Sequence, residues 1–204
     1  MLAYLEPADM VCDLGCGLGR LDIELAPYVA GICAIDTSGS AVEMLRRDIG
    51  SLGIKNVNVM QGTTDDIQGS FDVILLSLFG SVDTTDLLRH CRRRLIRIVS
   101  TGRKSGLYPA QHRRKVKNTV PDVREELQAL GIGFDLEVCS FQFGQPLRSL
   151  QDAEVFVLSN APDATHAEVG DFLDESLERT GRSDFPFYLP YLKELGIFII
   201  DVNN

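Results

Sequence analysis

An apolar run that ends in an aspartate and is followed at once by three glycines constrains the fold of this chain most strongly. The stretch spans residues 10 to 29 and reads MVCDLGCGLGRLDIELAPYV. Its first five residues have the length of a buried strand, and the periodicity after the glycines places Leu21, Leu25 and Tyr28 on one helical face. Because glycine permits a tight turn and a close approach to the backbone, the pattern predicts a strand, a ligand-binding turn and a helix.

Segments of strand length and of helical period alternate along the rest of the chain. Strands are predicted at residues 10–14, 31–36, 56–61, 71–79, 94–101, 133–143 and 195–202, and helices at residues 19–29, 40–53, 84–93, 120–130, 149–159 and 165–180. This alternation is typical of an α/β fold with a doubly wound, mainly parallel sheet. Ligands of such sheets bind outside the carboxyl ends of the strands, which is where the glycines lie.

The composition fits one compact domain over residues 1–204 and argues against several classes of protein. Of the 204 residues 45% are apolar, yet no apolar run approaches the ~18 residues of a membrane span, so no membrane partner is expected. The N-terminus lacks the basic start and apolar core of a signal peptide, and the five cysteines include no C-x-x-C pair. A cytoplasmic location without disulfides or a metal site is therefore expected.

The spacing of the glycines distinguishes between two classes of ligand. A dinucleotide site requires G-x-G-x-x-G, whereas Gly15, Gly17 and Gly19 form G-C-G-L-G, one residue short at the last glycine. Asp13 would also repel the pyrophosphate of NAD. A carboxylate beside the turn instead favours a ligand with a cationic end, such as S-adenosyl-L-methionine, which has an ammonium and a sulfonium. The alternative for Asp13 is a buried acid that is bonded only to loop amides.

Four segments together resemble the class I S-adenosylmethionine-dependent methyltransferases. VCDLGCGLG is similar to their first motif, AIDTSGSAVEML to their second strand and helix, VMQGTTDDI to their third motif and GSFDVILLSLFG to their fourth. The resemblance covers residues 9–145 and implies a Rossmann-like, seven-stranded mixed sheet with helices on both faces and an antiparallel last strand. It also implies the cofactor-binding residues Asp13, Gly15, Cys16, Gly17, Gly19, Asp36, Thr37, Thr63, Thr64 and Ser77.

Asp36 occupies the family position whose carboxylate holds the ribose hydroxyls, 23 residues after Asp13. Charge-assisted hydrogen bonds of this kind are stronger than neutral ones. The alternative role for Asp36 is the N-cap of helix 40–53, but Ser38 or Ser40 can supply that cap. The chain departs from the family at Thr63, where many members have an acidic residue that contacts adenine. A residue between Thr63 and Asp66 could make the adenine contact instead, or this segment could be a solvated turn.

The fourth strand ends in SLFG, whereas nucleic-acid and protein-amide methyltransferases show an Asn or Asp followed by two prolines. This difference disfavours an exocyclic amine as the methyl acceptor and favours a small molecule. Ser77 and Phe79 could line the acceptor pocket, although Phe79 is equally suited to the core. Candidate general bases by residue type are His112, Tyr108 and Asp83, of which histidine has the most suitable ordinary pKa.

Charge is distributed unevenly along this chain of net charge −9. Residues 89–117 contain eleven Lys and Arg and no acid, which leaves nine basic and 29 acidic residues elsewhere. The basic loop 102–118 could bind an anionic acceptor, or its charges could simply be solvated. Nucleic acid is disfavoured as a partner because the sequence pI is about 4.8 and the loop has one aromatic residue, Tyr108.

The sequence therefore predicts an S-adenosylmethionine-dependent methyltransferase that acts on a small molecule. It predicts one domain over residues 1–204, with the basic loop and a helical insertion at residues 149–194. The main alternative is a protein that binds the cofactor without catalysis, as a regulator or assembly partner. A nucleic-acid methyltransferase and an NAD-dependent oxidoreductase are less favoured alternatives.

Overall fold

The computed structural model describes residues 1–80, 82–102, 106–112 and 118–202, and it contains two compact units. The first unit comprises residues 1–99, 118–137 and 196–204, and the second comprises residues 100–117 and 138–195. The strands are β1 Met10–Leu14, β2 Gly31–Asp36, β3 Val57–Gln61, β4 Phe71–Ser77, β5 Cys91–Ser100, β6 Asp135–Gln142, β7 Gln145–Leu147, β8 Glu178–Arg179, β9 Phe187–Leu189 and β10 Leu192–Asp201. The α-helices are α1 Arg20–Leu25, α2 Gly39–Leu52, α3 Thr84–Leu88, α4 Val120–Ala129, α5 Leu150–Asn160 and α6 His166–Ser176.

The main sheet has seven strands in the order β3-β2-β1-β4-β5-β10-β6, with β10 antiparallel, which confirms the predicted fold class. The strands β3, β2, β1, β4 and β5 pair in parallel, and Cys12 lies opposite both Cys33 and Ile74. Their carboxyl ends therefore meet at one edge of the sheet. Apolar side chains such as Leu95 and Phe198, both fully buried, form the core beneath it.

Local capping signals explain where several helices begin and end. Ser38 caps α2 by accepting a hydrogen bond from the N–H of Ala41, and Gly53 ends that helix at a φ of 69°. Thr119 and Asp122 form a capping box at the start of α4, as the Thr-x-x-Asp spacing predicts. These elements agree with the sequence prediction because their signals lie within a few residues.

Three predicted helices were too long, and the one predicted at residues 165–180 ends at Ser176 because β8 begins at Glu178. The helix predicted at residues 19–29 ends at Leu25 and continues as a 3-10 turn, and Tyr28 is 52% exposed rather than buried. The buried residues of α1 are Asp22 and Leu25. The helix predicted at residues 84–93 ends at Leu88, because Cys91 already pairs with Phe71 and begins β5.

The second unit has its own small core. Strands β7, β9 and β8 form an antiparallel three-stranded sheet, and Leu147, Ala153, Val157, Val169 and Leu189 are buried between this sheet and the helices α5 and α6. The predicted helical insertion at residues 149–194 is thus helical only in α5 and α6, because β8, β9 and the start of β10 follow. The single domain over residues 1–204 stays a prediction.

Candidate functional site

The three glycines after β1 share a positive φ but have different surroundings. Their φ angles are 75° at Gly15, 55° at Gly17 and 66° at Gly19, a region that residues with a Cβ rarely adopt. A Cβ added to Gly15 would lie 2.2 Å from the Phe79 ring, and one added to Gly19 would lie 2.2 Å from the Leu45 side chain. Among the described residues, no atom lies within 4 Å of a Cβ added to Gly17. Gly15 and Gly19 therefore accommodate other side chains, and Gly17 faces open space.

Asp36, the last residue of β2, is bonded to the glycine loop. Its Oδ2 accepts the N–H of Gly17 at 2.8 Å, and its Oδ1 accepts the N–H of Ser38 at 2.8 Å. Each carboxylate oxygen has two lone pairs, so both oxygens can accept a further donor such as a ribose hydroxyl. The side chain of Ser38 provides the N-cap of α2, so the helix does not need Asp36 for that purpose.

A cleft of about 150 Å³ opens where the parallel strands end. It is lined by Leu14, Gly15, Ile35, Asp36, Thr37, Gly62, Thr63, Thr64 and Phe79. Small-molecule sites usually measure ~300–1,000 Å³, so this cleft is narrow. Phe79 narrows it, because its ring packs against Gly15. The preceding residue, Leu78, has a φ of 52°, an unusual conformation for a residue with a side chain.

Half of the predicted cofactor residues line this cleft. They are Gly15, Asp36, Thr37, Thr63 and Thr64. Asp13, Cys16, Gly17, Gly19 and Ser77 are not among the lining residues, although Gly17 is bonded to Asp36. Sequence reasoning missed Leu14, Ile35 and Gly62, which directly precede predicted residues and could have been found from that adjacency. The cofactor contacts of the predicted residues stay predictions.

Two acids are buried side by side next to the glycine loop. Asp13 on β1 is 2% exposed and Asp22 on α1 is 1% exposed. Burial, followed by the charge of Asp22, raises the pKa of Asp13 well above its usual range. Burial also raises the pKa of Asp22 to about 6, although a hydrogen bond with Asp13 opposes this shift. Sequence reasoning missed Asp22, whose only signal was its position three residues before Leu25 on the buried helical face.

The acids after Thr63 have an identifiable structural role. The carboxylate of Asp66 accepts the N–H of Thr63 at 2.8 Å and its hydroxyl at 3.1 Å, and Thr63 accepts the N–H of Asp65. This arrangement is a capping box for a single 3-10 turn, Thr64–Asp66. Asp66 is therefore engaged in local structure, whereas Thr63 and Thr64 face the cleft.

Asp83, a candidate base, caps α3. Its carboxylate accepts the Thr85 hydroxyl at 2.6 Å and the Thr85 N–H at 2.8 Å, and these bonds lower the pKa of Asp83. A carboxylate that is stabilised as the anion is a weaker base. The cap gives Asp83 a structural role, and its proposed role as a general base stays a prediction.

His112 and Tyr108 belong to the second unit. His112 Nε2 lies 3.2 Å from Glu168 Oε2, and Tyr108 packs against the small core of that unit. The N–H of Thr165, followed by Gln111, lowers the pKa of Glu168 to about 2. Glu168 is therefore an anion beside His112. The proposed roles of His112 and Tyr108 as general bases stay predictions.

The basic window at residues 89–117 divides into two parts. Its first five arginines each contact an acid: Arg89 with Asp86, Arg92 with Asp72, Arg93 with Asp9 and Glu6, Arg94 with Asp201, and Arg97 with Glu126. These ion pairs account for that part of the charge. The other six basic residues lie outside the described residues, as do eight of the seventeen residues of the predicted basic loop; they are Arg103, Lys104, Arg113, Arg114, Lys115 and Lys117.

In the part of the chain that the structure describes, no group of three or more His, Cys, Asp or Glu side chains is arranged to hold a metal ion. Over the same residues, no helix has both the length and the apolar character needed to span a bilayer.

Comparisons with known proteins support the assignment of this fold. A family model described as a methyltransferase domain matches residues 11–97. A protein of Methanocaldococcus jannaschii, described as a probable cobalt-precorrin-6B C(15)-methyltransferase (decarboxylating), is 32% identical over 63 residues, which are 31% of this chain and 34% of that protein. The ribosomal protein L11 methyltransferase of Campylobacter fetus is 32% identical over 78 residues, 38% of this chain and 28% of that protein. The chain spans about a third to a half of the cobalt-precorrin relatives that it matches.

Solved structures share the fold over nearly the whole chain. The precorrin 8W decarboxylase of Methanobacterium thermoautotrophicum has a TM-score of 0.58 and 17% identity, over 98% of this chain and 86% of that one. The magnesium protoporphyrin IX methyltransferase of Synechocystis with bound S-adenosylmethionine has a TM-score of 0.53 and 17% identity, over 94% and 70% of the two chains. With the family model and the sheet order, these similarities lead to one conclusion. Residues 11–97 match a methyltransferase domain, and the chain as a whole shares the fold of these solved structures.

Proposed function

We propose that this chain binds S-adenosyl-L-methionine and transfers its methyl group to a small-molecule acceptor. The observation that carries the proposal is Asp36, whose carboxylate bridges the end of β2 and Gly17 and lines the cleft. A carboxylate held by two backbone N–H groups is fixed in position and can still accept hydroxyl donors. This is the arrangement that a ribose requires.

The residues around the cleft fit such a cofactor. Gly17 leaves open space beside the loop, and the buried acids Asp13 and Asp22 provide negative charge near a ligand with a cationic end. When bound, the cofactor supplies an electrophilic methyl group. The contribution of the protein is then to bind and align the reactants, and alignment can account for ~7–11 kcal/mol of the barrier.

The names of the relatives guide the choice of acceptor. Several similar proteins are described as acting on cobalt-precorrin-6B, and one similar structure is a magnesium protoporphyrin IX methyltransferase. We therefore propose an acceptor of this small-molecule class, with cobalt-precorrin-6B as the first compound to test. An rRNA methylase and a ribosomal protein L11 methyltransferase are also similar, so ribosomal RNA and protein are the comparison substrates. The anionic character proposed for the acceptor depends on the six basic residues outside the described part.

Calorimetry tests cofactor binding directly. S-adenosylmethionine and S-adenosylhomocysteine should bind in the micromolar range, and NAD should not bind. Asp36→Ala should weaken binding at least tenfold, because the loss of a charged hydrogen bond costs about 1.5–3 kcal/mol. Asp48→Ala, at an exposed position of α2, is the control and should bind as the parent does. Equal affinity of Asp36→Ala and the parent for the cofactor would contradict the proposal that Asp36 binds the ribose hydroxyls.

A turnover assay separates the enzyme from a cofactor-binding protein without catalysis. Methyl transfer from labelled S-adenosylmethionine should be detected with the small-molecule acceptor and not with RNA or protein L11. Binding of the cofactor without transfer to any of the three would favour a regulator or assembly partner in the cytoplasm.

A further inference from the structure

The buried acids at the glycine loop form a cluster that the proposed function does not fully use. Asp13 Oδ1 and both carboxylate oxygens of Asp22 are buried and, apart from the interaction between these two carboxyl groups, have no hydrogen-bond partner among the described residues. Burial of an isolated carboxylate costs free energy, because the charged form loses its hydration. Position 22 lies on the same face of α1 as the buried Leu25, three residues later, and an apolar residue is normally found on such a face. Packing alone therefore does not explain the acid at position 22.

The ionisable groups that interact with the pair are acids and thiols. Asp36 faces Asp13 from the end of β2, and Asp22 faces it from α1. The thiols that the pair influences lie on β1, on the glycine loop and on β2; they are Cys12, Cys16 and Cys33. None of these groups is a cation. Two adjacent carboxyl groups without a counter-charge cannot both ionise easily, so they tend to hold one proton between them.

The position of the pair connects it to the cleft. Asp13 immediately precedes Leu14 and Gly15, which line the cleft, and Asp36 interacts with Asp13 and lines the cleft itself. A charge bound beside Gly15 would therefore act on the carboxyl pair largely through protein, where the effective dielectric is far below that of water. A cation there would favour the fully ionised pair.

We propose that Asp13 and Asp22 share one proton while the cleft is empty, and that they release it to solvent when a cationic ligand binds beside Gly15. This inference rests on the proposed function. S-adenosylmethionine has a positively charged sulfur, whereas the sulfur of the product S-adenosylhomocysteine is neutral, and apart from the transferred methyl group the two molecules are the same. The pair would thus favour the substrate cofactor over its product through the charge on sulfur. Asp22 is a specificity-determining residue that acts through Asp13.

Calorimetry of the parent protein in two buffers with different ionisation enthalpies measures the released proton. At pH 6.5, S-adenosylmethionine should release up to one proton more than S-adenosylhomocysteine. The ratio of the two affinities should rise about threefold to tenfold in favour of S-adenosylmethionine between pH 6 and pH 8, because a ligand that expels a proton binds more tightly as pH rises.

Asp22→Asn tests the assignment to these residues. The asparagine amide can donate permanently to Asp13 and leaves no proton to share, so both the extra proton release and the pH dependence of the ratio should disappear. Glu24→Gln, at an exposed position of the same helix, is the control and should behave as the parent does. Circular dichroism checks that both variants fold, and the buffer comparison on the parent requires no variant.

Equal proton release by the two cofactors in the parent would overturn the inference while leaving the proposed function intact. The inference would also be overturned, with the proposed function intact, if folded Asp22→Asn releases as many protons as the parent when S-adenosylmethionine binds. A parent protein that binds neither cofactor would instead contradict the proposed function, and with it the inference.

Discussion

At the residue scale, Asp22 makes the stability of the protein depend on pH. Its pKa is about 6 in the folded protein against an ordinary value of 3.8, so the folded chain holds this proton more tightly than the unfolded chain does. The resulting stabilisation is complete below about pH 4 and is lost as pH rises through about 6. At pH 8 the ionised carboxylate of Asp22, buried beside Asp13, should therefore destabilise the folded protein.

We expect Asp22→Asn to raise the free energy of unfolding at pH 8 by on the order of 2–3 kcal/mol relative to the parent. Near pH 4 the difference should be small, because the parent then holds the proton. Urea denaturation at the two pH values measures this. A difference that is the same at pH 4 and pH 8 would contradict the shifted pKa of Asp22.

Gly17 provides a second prediction at this scale. We expect Gly17→Val to lose cofactor binding while the protein remains folded, because a branched side chain would enter the open space beside Asp36. The left-handed backbone should also cost about 1–2 kcal/mol of stability. Gly69→Val is the matched control, since Gly69 has a φ of 80° and no described atom near its added Cβ. If Gly17→Val binds the cofactor as Gly69→Val does, Gly17 serves the turn and not the ligand.

At the scale of secondary-structure elements, one buried cation joins α3, β5 and α4. Arg97 is 3% exposed and donates to Thr84 Oγ1 at 2.7 Å and to both carboxylate oxygens of Glu126 at 3.0 Å. Thr84 also donates to Glu126. Removal of one partner leaves the others without their hydrogen bonds in a partly buried site.

We expect Arg97→Met to lower the free energy of unfolding by about 3 kcal/mol, the lower end of the range for buried pairs, because Glu126 is 32% exposed. The double variant Arg97→Met with Glu126→Gln should recover part of this loss, because the unpaired charge is gone. Arg89→Met is the control, since Arg89 and Asp86 are 76% and 63% exposed and should contribute less than ~1 kcal/mol. Equal losses in the Arg97 and Arg89 variants would contradict the role of burial.

The turn after β4 should move when the cleft fills. Phe79 packs on Gly15, and the cleft of about 150 Å³ is narrow for a small-molecule site. The chain has no tryptophan, so Phe79→Trp introduces a single fluorescent reporter. We expect S-adenosylhomocysteine to shift its emission, whereas the same reporter placed by Tyr28→Trp, at an exposed position, should not respond. An unchanged emission spectrum at saturating cofactor would show that the ring stays where it is.

At the scale of the whole molecule, every residue that lines the cleft belongs to the first compact unit. We therefore expect cofactor binding to slow hydrogen exchange at residues 15–17, 36–38 and 62–64. Exchange in the small sheet of β7 and β9 should change little, because that sheet has its own core. Protection of similar size in both units would contradict a site confined to the first.

The sequence by itself determined the seven strands of the main sheet along the chain, the glycine turn, the position of Asp36 and several helix boundaries. Each of these has a local signal: an apolar run of strand length, a glycine that must adopt a positive φ, or a cap such as Ser38 or Gly53. Such signals involve residues a few positions apart, and they act in the same way before the rest of the chain folds.

Only the tertiary structure decided which side chains meet. Three glycines in one motif look equivalent in sequence, yet Phe79 packs on Gly15 and Leu45 packs on Gly19, while Gly17 remains open. The arginines of β5 resemble a free basic patch until Arg94 meets Asp201, 107 residues away. Asp22 is similarly buried, and it interacts with Asp13 on β1, nine positions earlier in the chain. Contacts between distant residues depend on how the elements pack against one another, and no local pattern contains that information.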